Sequence, residues 1–502
     1  MSSAPAPTPA GPAELVDRLR GDLRDAGYTA ERVGDVLGPL ADAALHRGQP
    51  LPAALATAGS TDPVAVLLRT FVLGLAVPAR SLAAALPATG VDGAVALGLA
   101  RADGDGVRGL CDLRPYGQDD HTWWVTSDLT GPATGAALST DHVLGVGGAS
   151  TTLASWTPRP RVRRALDLGT GCGVQSLHLA GHTSLRVATD LSARALGFAR
   201  FNAALNDVEL DLRQGSLWDP VAGEEFDLVV SNPPFVITPR RDDVPVYDYR
   251  DGGVAGDALV AGLVRDLPRH LAPGGIAQLL GNWELTAGED WRDHLAGWLD
   301  GTGLDAWVVQ REEQDVAEYA ETWARDGGHR PGTPAFDRLY AAWLADFAER
   351  GVERVGFGIV TVQRPAQDRP TWRELEQVST RTVGPMGPTV LAGIRARTWL
   401  ALHSDEEVLS VPWSVADDVT EERIGRPGAP DPVVIRLRQG GGLRRVVPLD
   451  SLTAGVVGAS DGDLTAAQLV QAVAVLTGTE PGVATAQVVP RLRELIAAGL
   501  LR

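Results

Sequence analysis

The chain has 502 residues, 44% of them hydrophobic and 22% charged, which is ordinary for a globular protein and long enough for several domains. Its formal net charge of −18 argues against a protein covered by nucleic acid, although a local arginine patch is not excluded. The only cysteines, Cys111 and Cys172, exclude a disulfide framework and a cysteine-based zinc site. Because neither a secretory signal nor an apolar run of roughly 18 residues is evident, we expect a cytoplasmic protein without a membrane span.

The N-terminal region is predicted to be mostly helical. Residues 1–12, rich in Pro and Ala, are expected to form a disordered tail. Apolar residues then recur at helical spacing, and the run Asp-Gly-Asp-Gly at 103–106 predicts a hairpin. Short helices followed by a hairpin resemble a winged helix, and a generic helical cap fits the pattern equally well. We assign residues 13–120 to this domain.

Residues 121–364 alternate predicted strands and helices, which is typical of a doubly wound parallel sheet. The pattern also predicts a helical insertion at about 314–350 and a glycine-rich loop before an apolar helix within 141–153. The predicted helices lie at 174–180, 192–205 and 255–271, and the seven predicted strands lie at 164–168, 185–189, 208–213, 226–230, 276–281, 304–310 and 355–362.

Residues 365–502 are predicted to form a separate α+β domain. Two β-favouring runs, at 433–437 and 443–449, flank a glycine triplet and predict a hairpin. Amphipathic helices are expected at 464–476 and 488–501. A second winged-helix-like module is one interpretation of this end of the chain.

The first chemical feature is a glycine-rich turn between the first strand and the first helix of the central domain. Asp167 ends the strand, and Gly169, Gly171 and Gly173 follow it. Glycines at these positions allow the backbone to approach a ligand closely. The spacing is Gly-x-Gly-x-Gly rather than the dinucleotide pattern Gly-x-Gly-x-x-Gly. It therefore favours a cofactor without phosphates.

The next two strands end in residues that suit the rest of such a cofactor. Asp190 follows the second strand and could accept hydrogen bonds from ribose hydroxyls, or it could cap the helix that starts near Ser192. The loop that contains Ser216 follows the third strand. Its backbone could read the edge of an adenine, with Leu217 or Trp218 on the ring face.

The fourth strand ends in Asn232-Pro233-Pro234-Phe235. The two prolines end strand pairing, since neither donates a backbone hydrogen bond. What remains is an amide side chain, backbone carbonyl groups and one aromatic ring at the carboxyl end of a strand, where open α/β sheets bind ligands. This corner could hold a flat group that carries N–H donors, and a plain turn is the alternative for the motif in isolation.

Together these features resemble class I S-adenosylmethionine-dependent N-methyltransferases with an Asn-Pro-Pro-Phe motif. The resemblance covers residues 141–364 and points to HemK-like protein-glutamine methyltransferases and small-subunit rRNA guanine-N2 methyltransferases. It implies a Rossmann-like seven-stranded fold and an acceptor nitrogen bound by Asn232, Pro233 and Phe235. It also implies that S-adenosylmethionine is held by Asp167, Gly169, Gly171, Gly173, Asp190, Ser216, Leu217 and Asn232.

Two further segments resemble this group, and two positions depart from it. The glycine loop at 145–150 is similar to one that precedes the domain in the rRNA branch. The run at 251–257 is similar to a glycine run shared by both branches. Ser216 stands where the adenine loop usually carries an acid, and Phe235 stands where HemK-like enzymes commonly have Tyr. Neither difference removes the predicted chemistry.

The predicted reaction is methyl transfer to a planar NH₂ group, and it requires no metal. A protein glutamine amide is the main interpretation of the acceptor, and an RNA or DNA base, methylated at guanine N2 or adenine N6, is the alternative. A non-catalytic nucleic-acid or protein binding module is an alternative from another class. We interpret His142 and His178 as structural residues. Arg240 and Arg241 are read as a solvated turn, with contact to a phosphate or an acidic partner as the alternative.

Overall fold

The computed structural model describes residues 8–118, 121–135, 138–241, 244, 246–428 and 431–502. Of the tail predicted at 1–12, residues 1–7 lie outside this description. Residues 8–12 lie against the N-terminal domain: Pro9 is buried, and the N–H of Ala10 donates a 3.1 Å hydrogen bond to the carbonyl oxygen of Leu97. The predicted disorder is therefore wrong for this part of the tail. No helix within the described ranges combines the length and apolar character that crossing a membrane requires.

The N-terminal domain is mostly helical, with two small antiparallel sheets. The hairpin that follows its last two helices has the order that the winged-helix alternative predicts. The helices are α1 (Ala13–Asp25), α2 (Ala30–His46), α3 (Leu51–Ala56), α4 (Pro63–Leu67), α5 (Ala79–Ala85) and α6 (Gly90–Ala96), with a π-helical turn at Leu68–Val72. The strands are β1 (Val77–Pro78), β2 (Ala100–Asp103), β3 (Gly106–Gly109), β4 (Cys111–Gln118) and β5 (His121–Asp128).

The hairpin of β4 and β5 spans the predicted domain boundary at residues 120 and 121. Its register runs from Cys111 opposite Asp128 to Gln118 opposite His121. Asn202, on a helix of the central domain, accepts the N–H of Thr126 at 2.7 Å. The hairpin therefore joins the two domains rather than separating them.

The central domain is an α/β unit around one twisted sheet, which confirms the predicted fold class. Its strands are β6 (Val162–Leu168), β7 (Thr183–Asp190), β8 (Asp211–Gln214), β9 (Phe226–Ser231), β10 (Leu271–Thr286), β11 (Asp305–Asp315), β12 (Val352–Gln363) and β13 (Arg373–Gln377). Its helices are α7 (Gly131–Thr134), α8 (Gly148–Trp156), α9 (Val174–Leu179), α10 (Ala193–Leu205), α11 (Ala258–Asp266), α12 (Trp291–Leu299), α13 (Val316–Asp326) and α14 (Pro334–Arg350).

The sheet has the strand order β13-β11-β12-β10-β9-β6-β7-β8. Strands β8, β7, β6, β9 and β10 run parallel, and β12 is antiparallel to both of its neighbours. The seven predicted strands are present, but the count of seven is wrong, because β13 adds an eighth strand parallel to β11. This strand comes from the segment assigned to the C-terminal domain. Its mixed, charged sequence lacks the apolar run of a central strand, as suits an edge strand.

The centre of the sheet is buried on both faces. Leu228, Val229 and Val230 of β9 are at most 1% exposed, and they belong to two hydrophobic clusters on opposite sides of the sheet. Such two-sided burial is what a continuous apolar strand requires. Because β6, β7, β8 and β9 run parallel, their carboxyl ends lie side by side at one edge of the sheet.

The C-terminal region has the predicted α+β character. Its antiparallel sheet contains the predicted hairpin of β15 (Val434–Gln439) and β16 (Val446–Leu449), and β14 (Val419–Ile424) pairs with the outer side of β15. This sheet precedes the last three helices of the C-terminal region. In the N-terminal domain, by contrast, the hairpin follows the helices. The elements are β14, β15 (Val434–Gln439), β16 (Val446–Leu449), α15 (Gly387–Leu402), α16 (Asp405–Ser410), α17 (Ser451–Gly458), α18 (Ala466–Thr477) and α19 (Pro481–Ala497).

Candidate functional site

The glycine turn follows β6 at the carboxyl end of the sheet. Gly169, Gly171 and Gly173 have φ angles of 73°, 55° and 90°, a region that costs other residues roughly 1–2 kcal/mol. A Cβ atom on Gly169 or Gly171 would meet no described atom within 4 Å, whereas on Gly173 it would lie 3.4 Å from Ala199. The first two glycines thus border open space, and the third allows close packing of α10.

Asp167, before this turn, is 1% exposed. Its Oδ2 accepts hydrogen bonds from the hydroxyl of Thr170 (2.6 Å) and from the N–H and hydroxyl of Ser176 (2.9 and 2.7 Å). Its Oδ1 is also buried and accepts no hydrogen bond from a described residue. Burial raises the pKa of Asp167 to about 6, because these hydrogen bonds offset only part of the desolvation. One oxygen therefore holds the turn, and the other lacks a donor.

Asp190 ends β7 and connects it to the glycine turn. Its Oδ2 accepts the N–H of Gly171 at 2.9 Å, and its Oδ1 accepts the N–H of Ser192 at 2.8 Å. The N-cap of α10 is Ser192, whose hydroxyl accepts the N–H of Ala195, so the capping alternative for Asp190 is wrong. Each carboxylate oxygen keeps a second acceptor position for a ligand hydroxyl. Burial raises the pKa of Asp190 above its ordinary value.

The loop after β8 contains Ser216 and Leu217. Leu217 is 40% exposed and has a φ angle of 46°. Trp218, the alternative residue for packing on a ligand ring, is buried and stacks on His270 with 4.4 Å between ring centroids. Because Trp218 is 8% exposed and His270 covers one face of its indole, Leu217 is the residue that this loop presents.

Leu191 is a surface residue that the sequence analysis missed. It directly follows Asp190 and is 69% exposed. Its carbonyl oxygen accepts a 3.2 Å hydrogen bond from Nε2 of Gln214, which ties it to the loop of Leu217. The signal in the sequence was an apolar residue immediately after the acid, where a helix-capping segment is normally polar.

The Asn-Pro-Pro-Phe corner lies beside the glycine turn. Strands β9 and β6 are neighbours, and Oγ of Ser231 donates a 2.7 Å hydrogen bond to the carbonyl oxygen opposite it, that of Leu168. Asn232 follows at once, and its buried Oδ1 accepts no hydrogen bond from a described residue. A buried acceptor left unpaired costs about 1–3 kcal/mol. A ligand N–H at this position would remove that cost.

The aromatic residue of the corner is only half-buried. The ring of Phe235 meets the ring of Trp323 edge to face, with 6.5 Å between centroids and a 74° interplanar angle. Trp323 belongs to α13, the first helix of the predicted insertion. Pro233 is buried beneath the same corner. The insertion therefore borders the site. The sequence analysis did not predict that the insertion lies beside Phe235.

The glycine run at 251–257 also approaches the corner. A Cβ atom on Gly252 would lie 3.0 Å from the carbonyl oxygen of Pro234, so only glycine fits there without displacing the corner. Arg240 is exposed, and its Nε and Nη2 atoms donate hydrogen bonds of 3.1 and 2.8 Å to the carbonyl oxygen of Val254. Arg240 thus holds this run in place rather than standing only in solvent.

The two candidate histidines have structural contacts, as interpreted. His142 is buried, lies 3.7 Å from a carboxylate oxygen of Asp128, and has a pKa that burial lowers. His178 forms a 2.9 Å hydrogen bond with the hydroxyl of Tyr116. Within the described ranges, no group of three His, Cys, Asp or Glu side chains is arranged to hold a metal ion.

Two segments of the chain match protein families. Residues 25–110 match a domain of unknown function, DUF7059, and residues 144–290 match the methyltransferase small domain. The second match covers the glycine turn, Asp190, the loop of Ser216 and the Asn-Pro-Pro-Phe corner. The described site therefore lies within the segment that matches the methyltransferase small domain.

Curated relatives match about a quarter of the chain. A release factor glutamine methyltransferase from Xylella fastidiosa is 36% identical over 145 residues, which cover 27% of this chain and 52% of the relative. A ribosomal RNA small subunit methyltransferase C from Enterobacter sp. is 31% identical over 137 residues, 27% of this chain and 35% of the relative. The chain spans about half the length of the glutamine methyltransferases it matches.

A solved T. thermophilus 16S rRNA N2 methyltransferase, in complex with AdoMet and guanosine, is 19% identical to this chain. Its alignment covers 46% of this chain and 63% of that chain, with a TM-score of 0.26. A score of that size supports no conclusion about the site.

Proposed function

We propose that this chain, whose residues 144–290 are a methyltransferase small domain, is an S-adenosylmethionine-dependent N-methyltransferase that modifies a planar NH₂ group. One observation carries the proposal. The buried Oδ1 of Asn232 lacks a donor among the described residues, and Asn232 directly follows Ser231, whose partner in the sheet register, Leu168, directly precedes Gly169. A hydrogen-bond acceptor for the target nitrogen is thus next to a cradle for a cofactor.

The residues around the glycine turn fit the methionine part of the cofactor. The open space beside Gly169 and Gly171 accommodates a chain at close range to the backbone. The unpaired, buried Oδ1 of Asp167 supplies an acceptor for its ammonium group. S-adenosylmethionine would supply a methyl group that is already activated on a positively charged sulfur.

The ends of β7 and β8 fit the adenosine part. Asp190 keeps two acceptor positions, one for each ribose hydroxyl, while its present hydrogen bonds hold the carboxylate still. Leu191 and Leu217 offer apolar surface for the adenine ring, and Ser216 lies in the loop that would read the edge of the base. Apolar side chains with a few placed polar groups are typical of cofactor sites.

The corner supplies the chemistry at the acceptor nitrogen. Oδ1 of Asn232 and the carbonyl oxygen of Pro233 would accept its two N–H groups, and Phe235 would stack on its plane. These hydrogen bonds orient the nitrogen lone pair and stabilise the positive charge that develops on nitrogen as the new bond forms. Transfer would break the carbon–sulfur bond of the cofactor as the carbon–nitrogen bond forms, leaving a neutral thioether. The methylated nitrogen would then release its extra proton to solvent, so alignment and exclusion of water during transfer suffice without a basic side chain.

We propose a protein glutamine side-chain amide as the acceptor. Relatives named release factor glutamine methyltransferase and ribosomal protein uL3 glutamine methyltransferase support this choice. The net charge of −18 also disfavours an extended nucleic-acid interface.

A nucleobase is the second candidate acceptor. It is supported by the relative named ribosomal RNA small subunit methyltransferase C and by the helix–hairpin order of the N-terminal domain. A base would have to be unstacked to reach Asn232.

Incubation of the protein with cell lysate and radiolabelled S-adenosylmethionine tests the proposal. If protease releases the label and RNase does not, the result supports the glutamine acceptor. If RNase releases the label, the result supports the nucleobase. Absence of transfer together with absence of cofactor binding in calorimetry would contradict the enzymatic function.

The variant pair Asn232→Ala and Asn232→Asp tests the assigned role of the corner. We expect N232A to abolish transfer while cofactor binding persists, because the acceptor contact is lost and the glycine turn, Asp167 and Asp190 still hold the cofactor. N232D keeps an acceptor oxygen and should retain measurable transfer. Equal rates for N232A and the unaltered protein would disprove the assignment.

A further inference from the structure

One face of α13 contacts the segment that follows the acceptor corner at three points. The residues are Tyr319, Trp323 and Asp326, and their spacing of four and three positions places them on the same side of a helix. The helix begins directly after β11, with Asp315 as its N-cap. Its position is therefore set by the sheet and not by a long flexible connection.

The first contact holds the backbone just beyond the corner. The hydroxyl oxygen of Tyr319 accepts the N–H of Ile237 at 2.9 Å and also the side-chain N–H of Asn282 at 2.9 Å. Tyr319 is fully buried, so water does not compete for these hydrogen bonds. The chain two residues after Phe235 is thereby attached to α13.

The second contact is the edge-to-face pair of Phe235 and Trp323. Aromatic pairs of this geometry restrict ring orientation, because the positive edge of one ring prefers the negative face of the other. The plane of Phe235 is the surface on which the acceptor would stack. Its orientation thus depends on where α13 holds Trp323.

The third contact is an ion pair between Arg250 and Asp326. An Nη atom of Arg250 lies 2.8 Å from Oδ2 of Asp326, and the hydroxyl of Tyr249 donates to the same oxygen at 2.7 Å. The side chain of Arg250 is only 4% exposed and also donates a 2.9 Å hydrogen bond to the carbonyl oxygen of Trp323. A charge buried to this degree needs its partner.

Arg250 connects this ion pair to the corner itself. Its own carbonyl oxygen accepts the N–H of Val236 at 2.9 Å. Its guanidinium lies 4.4 Å from the ring centroid of Tyr247 and 5.7 Å from that of Trp323. One residue therefore binds the backbone next to Phe235 and the helix that carries Trp323.

We propose that Arg250 and Asp326 are positioning residues, which hold Trp323 against Phe235 and so fix the plane on which the acceptor NH₂ group is presented. Neither residue touches the reacting atoms; both act through the corner. The inference rests on the proposed function for its catalytic consequence. Its structural part, the attachment of residues 235–237 to α13, stands independently.

The central variant is Asp326→Ala, with Asp326→Asn as a conservative partner. Asp326 is at the surface, so its truncation opens no cavity in the core, while Arg250 loses its 2.8 Å ion pair and keeps the longer, 4.0 Å pair with Asp251. We expect D326A to lower kcat by roughly 10- to 100-fold, the cost of a misplaced acceptor, with an unchanged Kd for S-adenosylmethionine. D326N keeps an oxygen for Arg250 and Tyr249 and should restore part of kcat.

Glu321→Ala is the matched control. Glu321 lies on the same helix and pairs with Arg325, also on α13. The substitution therefore removes a surface carboxylate without changing any contact of the corner. We expect E321A to leave kcat unchanged. A kcat for D326A equal to that of E321A would overturn the inference, as would a loss of cofactor affinity that accounts for the whole effect.

Hydrogen exchange of the peptide that covers residues 233–241 separates this inference from the proposed function. D326A should accelerate exchange at Ile237, whose N–H is bonded to Tyr319, and E321A should not. If the unaltered protein transfers no methyl group, the proposed function fails while this measurement still decides the positioning role. Unchanged exchange in D326A would refute that role whatever the activity.

Discussion

The N–H of Gly171 donates a 2.9 Å hydrogen bond to Oδ2 of Asp190, so the turn after β6 and the acid that ends β7 hold each other in place. Parallel neighbours end at the same edge of the sheet, and this bond joins the two parts of the proposed cofactor site. The bond requires a left-handed backbone at Gly171, which glycine adopts without steric cost.

Gly171→Ala should weaken cofactor binding. The new Cβ would occupy the open space beside the turn, and the left-handed backbone should cost about 1 kcal/mol of stability. Calorimetric Kd values and urea unfolding measure the two effects separately.

Gly223→Ala is the control for backbone strain. Gly223 has a φ of 77° and open space around its Cβ position, but it lies in the loop before β9 and outside the proposed cradle. We expect a similar stability loss with an unchanged Kd. An equal loss of affinity in both variants would contradict the cradle.

Leu191→Ala should raise the Kd for S-adenosylmethionine by about fivefold, which corresponds to about 1 kcal/mol of lost apolar contact. Leu191 is 69% exposed, so stability should change by less than about 0.5 kcal/mol. Leu185→Ala, at a 49% exposed position on β7, the strand that ends just before Leu191, is the matched control and should bind the cofactor normally. Normal binding by L191A would exclude Leu191 from the adenine site.

Cofactor affinity should fall as the pH falls below about 6. Burial raises the pKa of Asp167 to about 6, and only the ionised carboxylate accepts through Oδ1 without a competing proton. The charged form is thus present above this pH and lost below it. Isothermal titration between pH 5 and pH 8 should show this dependence in the unaltered protein, whereas Asp167→Asn should bind weakly with a flat profile over the same interval. A steep profile in D167N would assign the titration to another group.

Most of the central sheet could be predicted from the sequence, because its signals are local. The apolar runs at β6 and β9 and the glycines and prolines after them mark where strands end. The edge strand β13 was missed, since its charged sequence lacks an apolar run and its pairing with β11 depends on a neighbour distant in the chain. The helical insertion was predicted as α13 and α14, but not its place beside Phe235.

The residues proposed to hold the cofactor were predicted as a set, and the structure brings them to one edge of the sheet. Trp218 was wrongly offered for ring packing, because its stacking on His270 depends on a contact between distant segments. Leu191 was missed, because an exposed apolar residue has meaning only when its neighbours in space are known.

The sequence by itself determined which residues stand at the strand ends and in the turns of the proposed site. The glycines, Asp190 and Asn232 lie within short segments, and backbone sterics convert their spacing directly into local shape. Only the tertiary structure decided what surrounds the acceptor corner. Tyr319 and Ile237 are 82 residues apart in the chain, and Arg250 meets Asp326 across 76 residues. Contacts of such separation depend on how the insertion packs against the sheet, and no local pattern encodes that packing.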